Sequence, residues 1–138
     1  MEDDNSTPPM QKILIVEDEP DVADLVSFNL ERAGFQIAVA HDGLIGLQMA
    51  LVEKPDLSLL DLMMPGLDGI EVLRRLRESE ACKAVPVIML SARTQQDEID
   101  DGLSLGAADY LVKPVESKAV IASVERLLPL RPTESSFI

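Results

Sequence analysis

Five short apolar runs alternate with amphipathic stretches along the middle of this chain, and this alternation limits the possible folds more than any other feature of the sequence. The runs cover residues 12–16, 36–40, 57–60, 85–90 and 110–112. Most of them are apolar almost throughout, which is typical of strands buried on both faces. Strand and helix alternating five times predict an α/β domain, a doubly wound parallel sheet with helices on both of its faces.

The segments between these runs carry apolar residues at helical spacing. In the first segment Pro20 suits the first helical turn, and Gly34 suits the position just after the helix ends. We expect the apolar residues of each segment to form a stripe that faces the sheet. The stripes are Val22, Leu25, Val26, Leu30 and Ala33; Leu44, Leu47 and Leu51; Ile70, Leu73 and Leu76; Ile99 and Leu103; and Ile121, Val124 and Leu128.

The length and composition of the chain fit one folded domain. It has 138 residues, of which 46% are hydrophobic, so it can build a core of its own. Residues 1–9 are polar and acidic and end in two prolines, which predicts a disordered extension. Residues 129–138 contain two more prolines and are interpreted as a C-terminal tail or as the start of a linker. The domain itself is therefore expected to span residues 10–128.

The charge of the chain excludes two classes of partner. A formal net charge of −13 repels the phosphates of nucleic acids and anionic lipids, so we expect this domain to bind neither nucleic acid nor membrane. No apolar run approaches the roughly 20 residues of a membrane span, and the N-terminus lacks the apolar core of a signal peptide. The single cysteine, Cys82, excludes an internal disulfide. A cytoplasmic location is the expectation that follows.

Charged and polar residues follow four of the five predicted strands. Glu17 and Asp18 come after the first strand, Asp61 after the third, Ser91 after the fourth and Lys113 after the fifth. Because all strands of a parallel sheet point the same way, these residues gather at its carboxyl edge, where such sheets bind ligands. Each of them alone is most simply a turn, cap or solvated residue. The combination at four strand ends instead indicates a functional site.

The chemistry of this combination suits transfer of a phosphoryl group. Clustered carboxylates repel one another, and a hard divalent cation such as Mg²⁺ relieves that repulsion. Asp18 and Asp61 are candidate direct ligands, and Glu17 is a candidate ligand through water. Asp61 is then free to attack phosphorus as a nucleophile. Lys113 and the Ser91 hydroxyl are suited to stabilise the phosphoryl oxygens.

Four stretches of the chain resemble the receiver domain of bacterial two-component response regulators, of the CheY-like class. Their motifs are most similar to those of the OmpR/PhoB type. They occur in the order and at the spacing of that family, and the resemblance covers about residues 11–128. The stretches are ILIVEDE at 13–19, LDLMMPGLDG at 60–69, LSAR at 90–93 and GAADYLVKP at 106–114.

The resemblance implies a flavodoxin-like (βα)5 fold with strand order 2-1-3-4-5. It implies that Asp61 is the phosphoacceptor, that Asp18 is a metal ligand supported by Glu17 through water, and that the Met63 backbone carbonyl completes the protein's ligands to Mg²⁺. Ser91 and Lys113 match the family's phosphoryl-binding hydroxyl and lysine, Tyr110 matches its switch aromatic, and the bond from Lys113 to Pro114 matches one that is cis.

The resemblance also implies partners and a role. A receiver takes its phosphoryl group from a sensor histidine kinase or a phosphotransfer protein and acts as a signalling switch, catalysing its own phosphotransfer and slow dephosphorylation. The surface formed by helix 4, strand 5 and helix 5 then contacts an output domain or a separate effector protein. The sequence identifies neither the cognate kinase nor the output.

The chain departs from the OmpR/PhoB type on that surface. Family members form dimers there through charge pairs between subunits, and the matching positions here are Ile99 with Ala119 and Asp109 with Ser123. Both expected pairs have lost at least one charge. We therefore expect no charge-paired dimer, and we expect Ile99, Ala119 and Val120 to give the surface a largely uncharged character.

Two other function classes remain as alternatives. A phosphatase of the haloacid dehalogenase type uses a second aspartate two residues after its nucleophile, and this chain has Met63 at that position. A degenerate receiver that only binds partners usually lacks the acceptor or one of the acidic residues, and this chain retains all of them.

Overall fold

The computed structural model of the chain describes residues 10–92 and 96–128. The predicted extension at 1–9, the predicted tail at 129–138 and Arg93 of the third motif lie outside the described residues. The strands are β1 Lys12–Val16, β2 Gln36–Ala40, β3 Leu57–Asp61, β4 Val87–Ser91 and β5 Asp109–Val112. The helices are α1 Pro20–Arg32, α2 Gly43–Glu53, α3 Gly69–Glu78, α4 Gln96–Ser104 and α5 Ser117–Leu127.

The five strands form one parallel sheet in the order β2-β1-β3-β4-β5, which confirms the predicted topology. Every residue of β3 and β4 is buried, as their continuous apolar sequences predicted. One core lies under α1 and α5 and includes Val26, Leu30 and Val124, while a second core on the opposite face includes Leu47, Leu73 and Ile99. This arrangement brings the carboxyl ends of all five strands to one edge.

Local sequence signals fix where several helices begin and end. Pro20 opens α1, where its missing N–H has no intrahelical partner to lose. Asp42 caps α2 by accepting a hydrogen bond from the Ile45 amide, and Gly34 follows α1 with a φ of 104° that side chains disfavour. None of the helices in the described ranges is both long and apolar enough to cross a membrane.

Some of the predicted apolar stripes are rotated away from the sheet. Leu25, Leu44, Leu51 and Leu103 are exposed to 51%, 52%, 40% and 42%, so the prediction that they face the core is wrong. In α2 the buried positions are Leu47 and the small residues Gly43, Gly46 and Ala50, and an added Cβ at Gly46 would lie 2.7 Å from the Val16 side chain of β1. The helix thus packs closely on the strand through its small residues and Leu47, and Leu44 and Leu51 lie on its exposed side.

The surface formed by α4, β5 and α5 differs from its predicted composition. Ile99 and Val120 are only 2% and 1% exposed, so they belong to the two cores and do not contribute to this surface. Asp109 is paired within the chain, since its Oδ2 accepts hydrogen bonds from Ser123 Oγ and Arg126 Nη2, both at 2.7 Å. Ala119 is exposed, as predicted.

Candidate functional site

The sheet brings every polar residue predicted at the strand ends to its carboxyl edge. Glu17 directly follows β1, Asp61 ends β3, Ser91 ends β4 and Lys113 directly follows β5. Glu17 and Ser91 are fully buried and Asp61 is 1% exposed. Asp18 is half-buried. Polar side chains this deeply buried need partners or a ligand, because an unpaired polar group in a protein interior is unstable.

The backbone around β3 holds Asp61 in place. The Leu62 amide donates to the carbonyl of Leu90 at 2.9 Å, which extends the pairing of β3 and β4 beyond the aspartate. Gly69 opens α3 so close to the strand that an added Cβ would lie 2.4 Å from the Asp61 carbonyl oxygen. The Met63 amide donates to Asp61 Oδ1 at 3.1 Å. One carboxylate oxygen is therefore held by the backbone.

Lys113 bridges the acidic residues of the site. Its ammonium Nζ lies 3.1 Å from Asp61 Oδ2, 3.3 Å from Glu17 Oε2 and 3.0 Å from Glu19 Oε1. The Lys113 amide donates to the Ser91 carbonyl at 2.8 Å, so the backbone fixes where the side chain starts. The peptide bond from Lys113 to Pro114 is cis, as the resemblance implied.

Three carboxylates lie close enough to share one cation. Glu17, Asp18 and Asp61 each offer an oxygen, and these oxygens all lie within 4.8 Å of one another. Glu17 Oε1 is buried and makes no hydrogen bond within the described residues, although it lies 3.1 Å from Lys113 Nζ. A set of hard oxygen donors, one of them unsatisfied, fits a divalent cation of the Mg²⁺ type.

The electrostatics of the site are those of crowded negative charge. Burial, together with the neighbouring Asp61, raises the pKa of Glu17 from 4.5 to about 7. Burial alone would lower the pKa of Lys113, but hydrogen bonds and charge from Glu19, Asp61 and Glu17 raise it above its ordinary value. The ammonium therefore stays charged and offsets only part of the negative charge around it.

The Ser91 hydroxyl is buried and has no hydrogen-bond partner in the part of the chain that the structure describes. A buried hydroxyl left unpaired is unfavourable by roughly 1–3 kcal/mol, so its presence at a strand end calls for an acceptor supplied from outside. An open cleft of about 310 Å³ lies at this edge of the sheet. Asp18, Asp61, Met63 and Lys113 are among the residues that line it.

Two predicted residues lie at the margin of the cluster. Met63 is 63% exposed and lines the cleft. Tyr110 is 38% exposed and pairs in register with Met89, two residues before the position where Val112 pairs with Ser91. The predicted switch residues therefore lie on adjacent strands.

Sequence analysis missed two contacts at this edge. Glu19 reaches Lys113, although nothing in its spacing distinguished it from an ordinary helix-start acid. His41 lies in the loop after β2, and its Nδ1 is 3.1 Å from the Glu17 carbonyl oxygen. The run of three acidic residues at 17–19 was the one signal that included Glu19, but it could not show that Glu19 pairs with Lys113.

Comparisons with known proteins identify the family of this chain. Residues 13–125 match the family model of the response regulator receiver domain. The chain is 44% identical over 119 residues to the DNA-binding dual master transcriptional regulator RpaA of Synechocystis, which covers 86% of this chain and 49% of that protein. The chain thus spans about half the length of the curated relatives it matches, which are response regulators of the OmpR/PhoB type.

Solved structures share the fold over nearly the whole domain. A response regulator from Chloroflexus aurantiacus, described as putative, superimposes with a TM-score of 0.83 at 31% identity, covering 88% of this chain and 100% of that one. The receiver domain of a sensor histidine kinase from Pseudomonas aeruginosa gives a TM-score of 0.80 at 30% identity, with the same coverage. That structure has a magnesium ion coordinated in its active-site cleft.

One assignment accounts for all of these observations: the alternating sequence, the strand order, the acidic cluster with its lysine, and the family match. The chain belongs to the response regulator receiver family, whose members are phosphoaccepting switches of two-component signalling.

Proposed function

We propose that Asp61 is the phosphoacceptor of this receiver and that it takes its phosphoryl group from a phosphohistidine on a sensor histidine kinase or a phosphotransfer protein. The observation that carries the proposal is the environment of its carboxylate. Oδ1 accepts a hydrogen bond from the Met63 amide, while Oδ2 lies 3.1 Å from Lys113 Nζ. The carboxylate is thus oriented at the edge of an open cleft.

The transfer is a displacement at phosphorus. A carboxylate oxygen of Asp61 attacks the phosphorus atom, and the bond from phosphorus to the histidine nitrogen breaks. The electron pair of that bond returns to the imidazole. Hydrolysis by water later releases phosphate and restores the carboxylate, so the chain catalyses both its own loading and its slow unloading.

Lys113 and Ser91 stabilise the group that is transferred. The ammonium of Lys113 already lies against the acceptor and is placed to neutralise a phosphoryl oxygen. The Ser91 hydroxyl is buried without a partner in the described residues, and a phosphoryl oxygen supplies the acceptor that it lacks.

Asp18, Asp61 and the backbone carbonyl of Met63 would hold the cation directly, and Glu17 would hold it through water. The carboxylates fit Mg²⁺ by donor type and separation. When bound, Mg²⁺ supplies positive charge that offsets the carboxylates and the incoming phosphoryl oxygens. A phosphatase of the haloacid dehalogenase type remains disfavoured, because the second aspartate that such an enzyme needs two residues after its nucleophile is Met63 in this chain.

A groove beside the site suits the protein that donates the phosphoryl group. It has a volume of about 520 Å³ and lies between α1 and the segment from Lys113 to Val115. Val22 and Leu25 line it from α1, and Leu25 is 51% exposed. Apolar side chains of a helical donor, packed here, would bring a phosphohistidine beside the carboxyl edge.

Phosphorylation changes the output surface through Ser91 and Tyr110. Movement of the Ser91 hydroxyl toward the phosphoryl group would leave room beside β4, and Tyr110 on the adjacent strand would turn inward to fill it. The surface of α4, β5 and α5 would then contact an output domain or a separate effector protein.

The test is phosphorylation by a small donor. Wild type and Asp61→Asn are incubated with acetyl phosphate and Mg²⁺, with and without EDTA, and the intact proteins are weighed. We expect one added phosphoryl mass in the wild type with Mg²⁺, none in Asp61→Asn, and none with EDTA. Labelling of Asp61→Asn to the wild-type extent would refute the assignment of the acceptor.

A further inference from the structure

Lys113 has no hydrogen-bond donor left for a phosphoryl group. An ammonium carries three N–H donors, and Nζ donates to three carboxylates: to Glu19 Oε1 at 3.0 Å, to Asp61 Oδ2 at 3.1 Å and to Glu17 Oε2 at 3.3 Å. For Lys113 to donate to a phosphoryl oxygen, one of these carboxylates must release it.

Glu19 is the carboxylate that loses least on release. Glu17 is fully buried, so its carboxylate would have no water to replace the Lys113 ammonium if that contact were lost. Asp61 is the proposed acceptor and stays beside the lysine. The side chain of Glu19 is 60% exposed, so water replaces the lost contact.

Within the described residues, Lys113 is the one hydrogen-bonding and ion-pair partner of the Glu19 carboxylate. Glu19 is the residue that precedes α1, where a side chain ordinarily caps the helix, yet its carboxylate makes no capping hydrogen bond. Its backbone is nevertheless anchored on both sides: the Glu19 amide donates to Glu17 Oε2 at 3.1 Å, and the Ala23 amide donates to the Glu19 carbonyl at 3.0 Å. The chain therefore holds the carboxylate next to Lys113 instead of over the helix end.

We propose that Glu19 is a positioning residue that competes with the phosphoryl group for Lys113, and thereby limits how tightly the site holds a phosphoryl group. The proposal rests on the proposed function of Asp61 and concerns how strongly that site is loaded. An exposed ion pair contributes up to about 1 kcal/mol, which corresponds to roughly fivefold in a binding constant.

The experiment compares two variants that remove one negative charge each. Glu19→Gln keeps the size of the side chain but loses the charge that holds Lys113. Asp21→Asn removes an exposed charge two residues later and serves as the matched control. Binding of beryllofluoride, an analogue of the phosphoryl group, is measured by calorimetry at saturating Mg²⁺. We expect about fivefold tighter binding for Glu19→Gln and little change for Asp21→Asn. Equal affinities of the two variants would overturn the proposal.

A second measurement needs neither metal nor analogue. Urea unfolding of the metal-free protein is compared for Glu19→Gln, Lys113→Gln and the double variant. If Glu19 holds Lys113, the double variant is less destabilised than the sum of the single variants, and purely additive effects would overturn the proposal. The outcome for Asp61 is separate: wild type that fails to bind beryllofluoride refutes the acceptor site, whereas normal binding with no effect of Glu19→Gln refutes only the role of Glu19.

Discussion

Two charged clusters lie at opposite ends of β5, one around Asp109 at its start and one around Lys113 just after its end, and their charges are paired to different degrees. At the carboxyl edge, Glu17 is buried with an oxygen that makes no hydrogen bond in the described residues, and burial raises its pKa to about 7. At the other cluster, Asp109 is held by Ser123, Arg126 and the Tyr110 amide. Burial alone would raise the pKa of Asp109, but these partners lower it.

The difference separates a site from a structural contact. The Asp109 cluster satisfies its charge within the chain and gains nothing from an external ligand. The carboxyl-edge cluster retains negative charge that Lys113 offsets only in part, so the folded state stores an unfavourable arrangement there. The predictions below test whether the two clusters respond to mutation in these opposite ways.

The largest effect is expected for Lys113→Ala. Loss of the ammonium should slow phosphorylation by acetyl phosphate about 100-fold, because a fixed charge at the phosphoryl oxygens disappears. With Mg²⁺ present, stability should change by no more than about 1 kcal/mol, since the cation offsets the same carboxylates. Transfer rate and urea unfolding are measured side by side. A large stability loss with normal transfer would make Lys113 a structural residue.

Next in size is the effect of Glu17→Gln on the metal-free protein. The pKa of Glu17 is about 7 in the folded protein and 4.5 ordinarily. Between these pH values the folded state therefore binds a proton that the unfolded state has released. Glu17 therefore lowers stability progressively as the pH rises from about 4.5 to about 7. We expect Glu17→Gln to be more stable than wild type at pH 8 and nearly equal to it at pH 4.

Urea unfolding in EDTA at both pH values checks this expectation. Glu80→Gln is the control, because the Glu80 side chain is 88% exposed. A destabilised Glu17→Gln at pH 8 would mean that Glu17 is a satisfied structural residue like Asp109.

Asp109→Asn should change the stability in the opposite direction from Glu17→Gln, and by a smaller amount. Its lowered pKa means that Asp109 stabilises the fold above about pH 3.8 and that this stability is lost as the pH falls through the folded pKa. We expect a loss of about 1 kcal/mol at pH 7 that shrinks below pH 4. Thermal unfolding is compared with Asp101→Asn, which removes an exposed charge of α4. If Asp109→Asn unfolds at the same temperature as the wild type, the Asp109 cluster contributes nothing to stability.

The smallest effect concerns association. Because Asp109 is paired within the chain and Ile99 is buried, we expect no charge-paired dimer of the OmpR/PhoB type when beryllofluoride is bound. Sedimentation with and without beryllofluoride, at low and high salt, measures this. A tight, salt-sensitive dimer formed through α4 and α5 only with the analogue would contradict the prediction.

The alternating apolar runs were sufficient to predict the parallel sheet and the strand ends that carry Asp61, Ser91 and Lys113. The order of the strands was predicted from the resemblance to receiver domains. That success follows from topology, since parallel strands bring their carboxyl ends together regardless of side-chain detail. The positions of Leu44 and Leu51 were missed because a stripe on one helix does not show how closely Gly46 approaches Val16.

Contacts between distant positions were also missed. The pairing of Glu19 with Lys113 joins residues 94 positions apart, and that of Asp109 with Arg126 depends on how α5 lies against β5. Neither follows from periodicity or from motifs read along the chain. Sequence therefore predicted which groups the site contains, while the structure was needed to see how their charges are shared.

The most direct test of the central claim is chemical mapping of the phosphorylated residue. An aspartyl phosphate is reduced by borohydride to homoserine, which marks its position permanently in the peptide chain. After treatment with acetyl phosphate and Mg²⁺, we predict homoserine at position 61 and at no other carboxylate of the cluster. Homoserine at position 17 or 18 in place of position 61 would contradict the account.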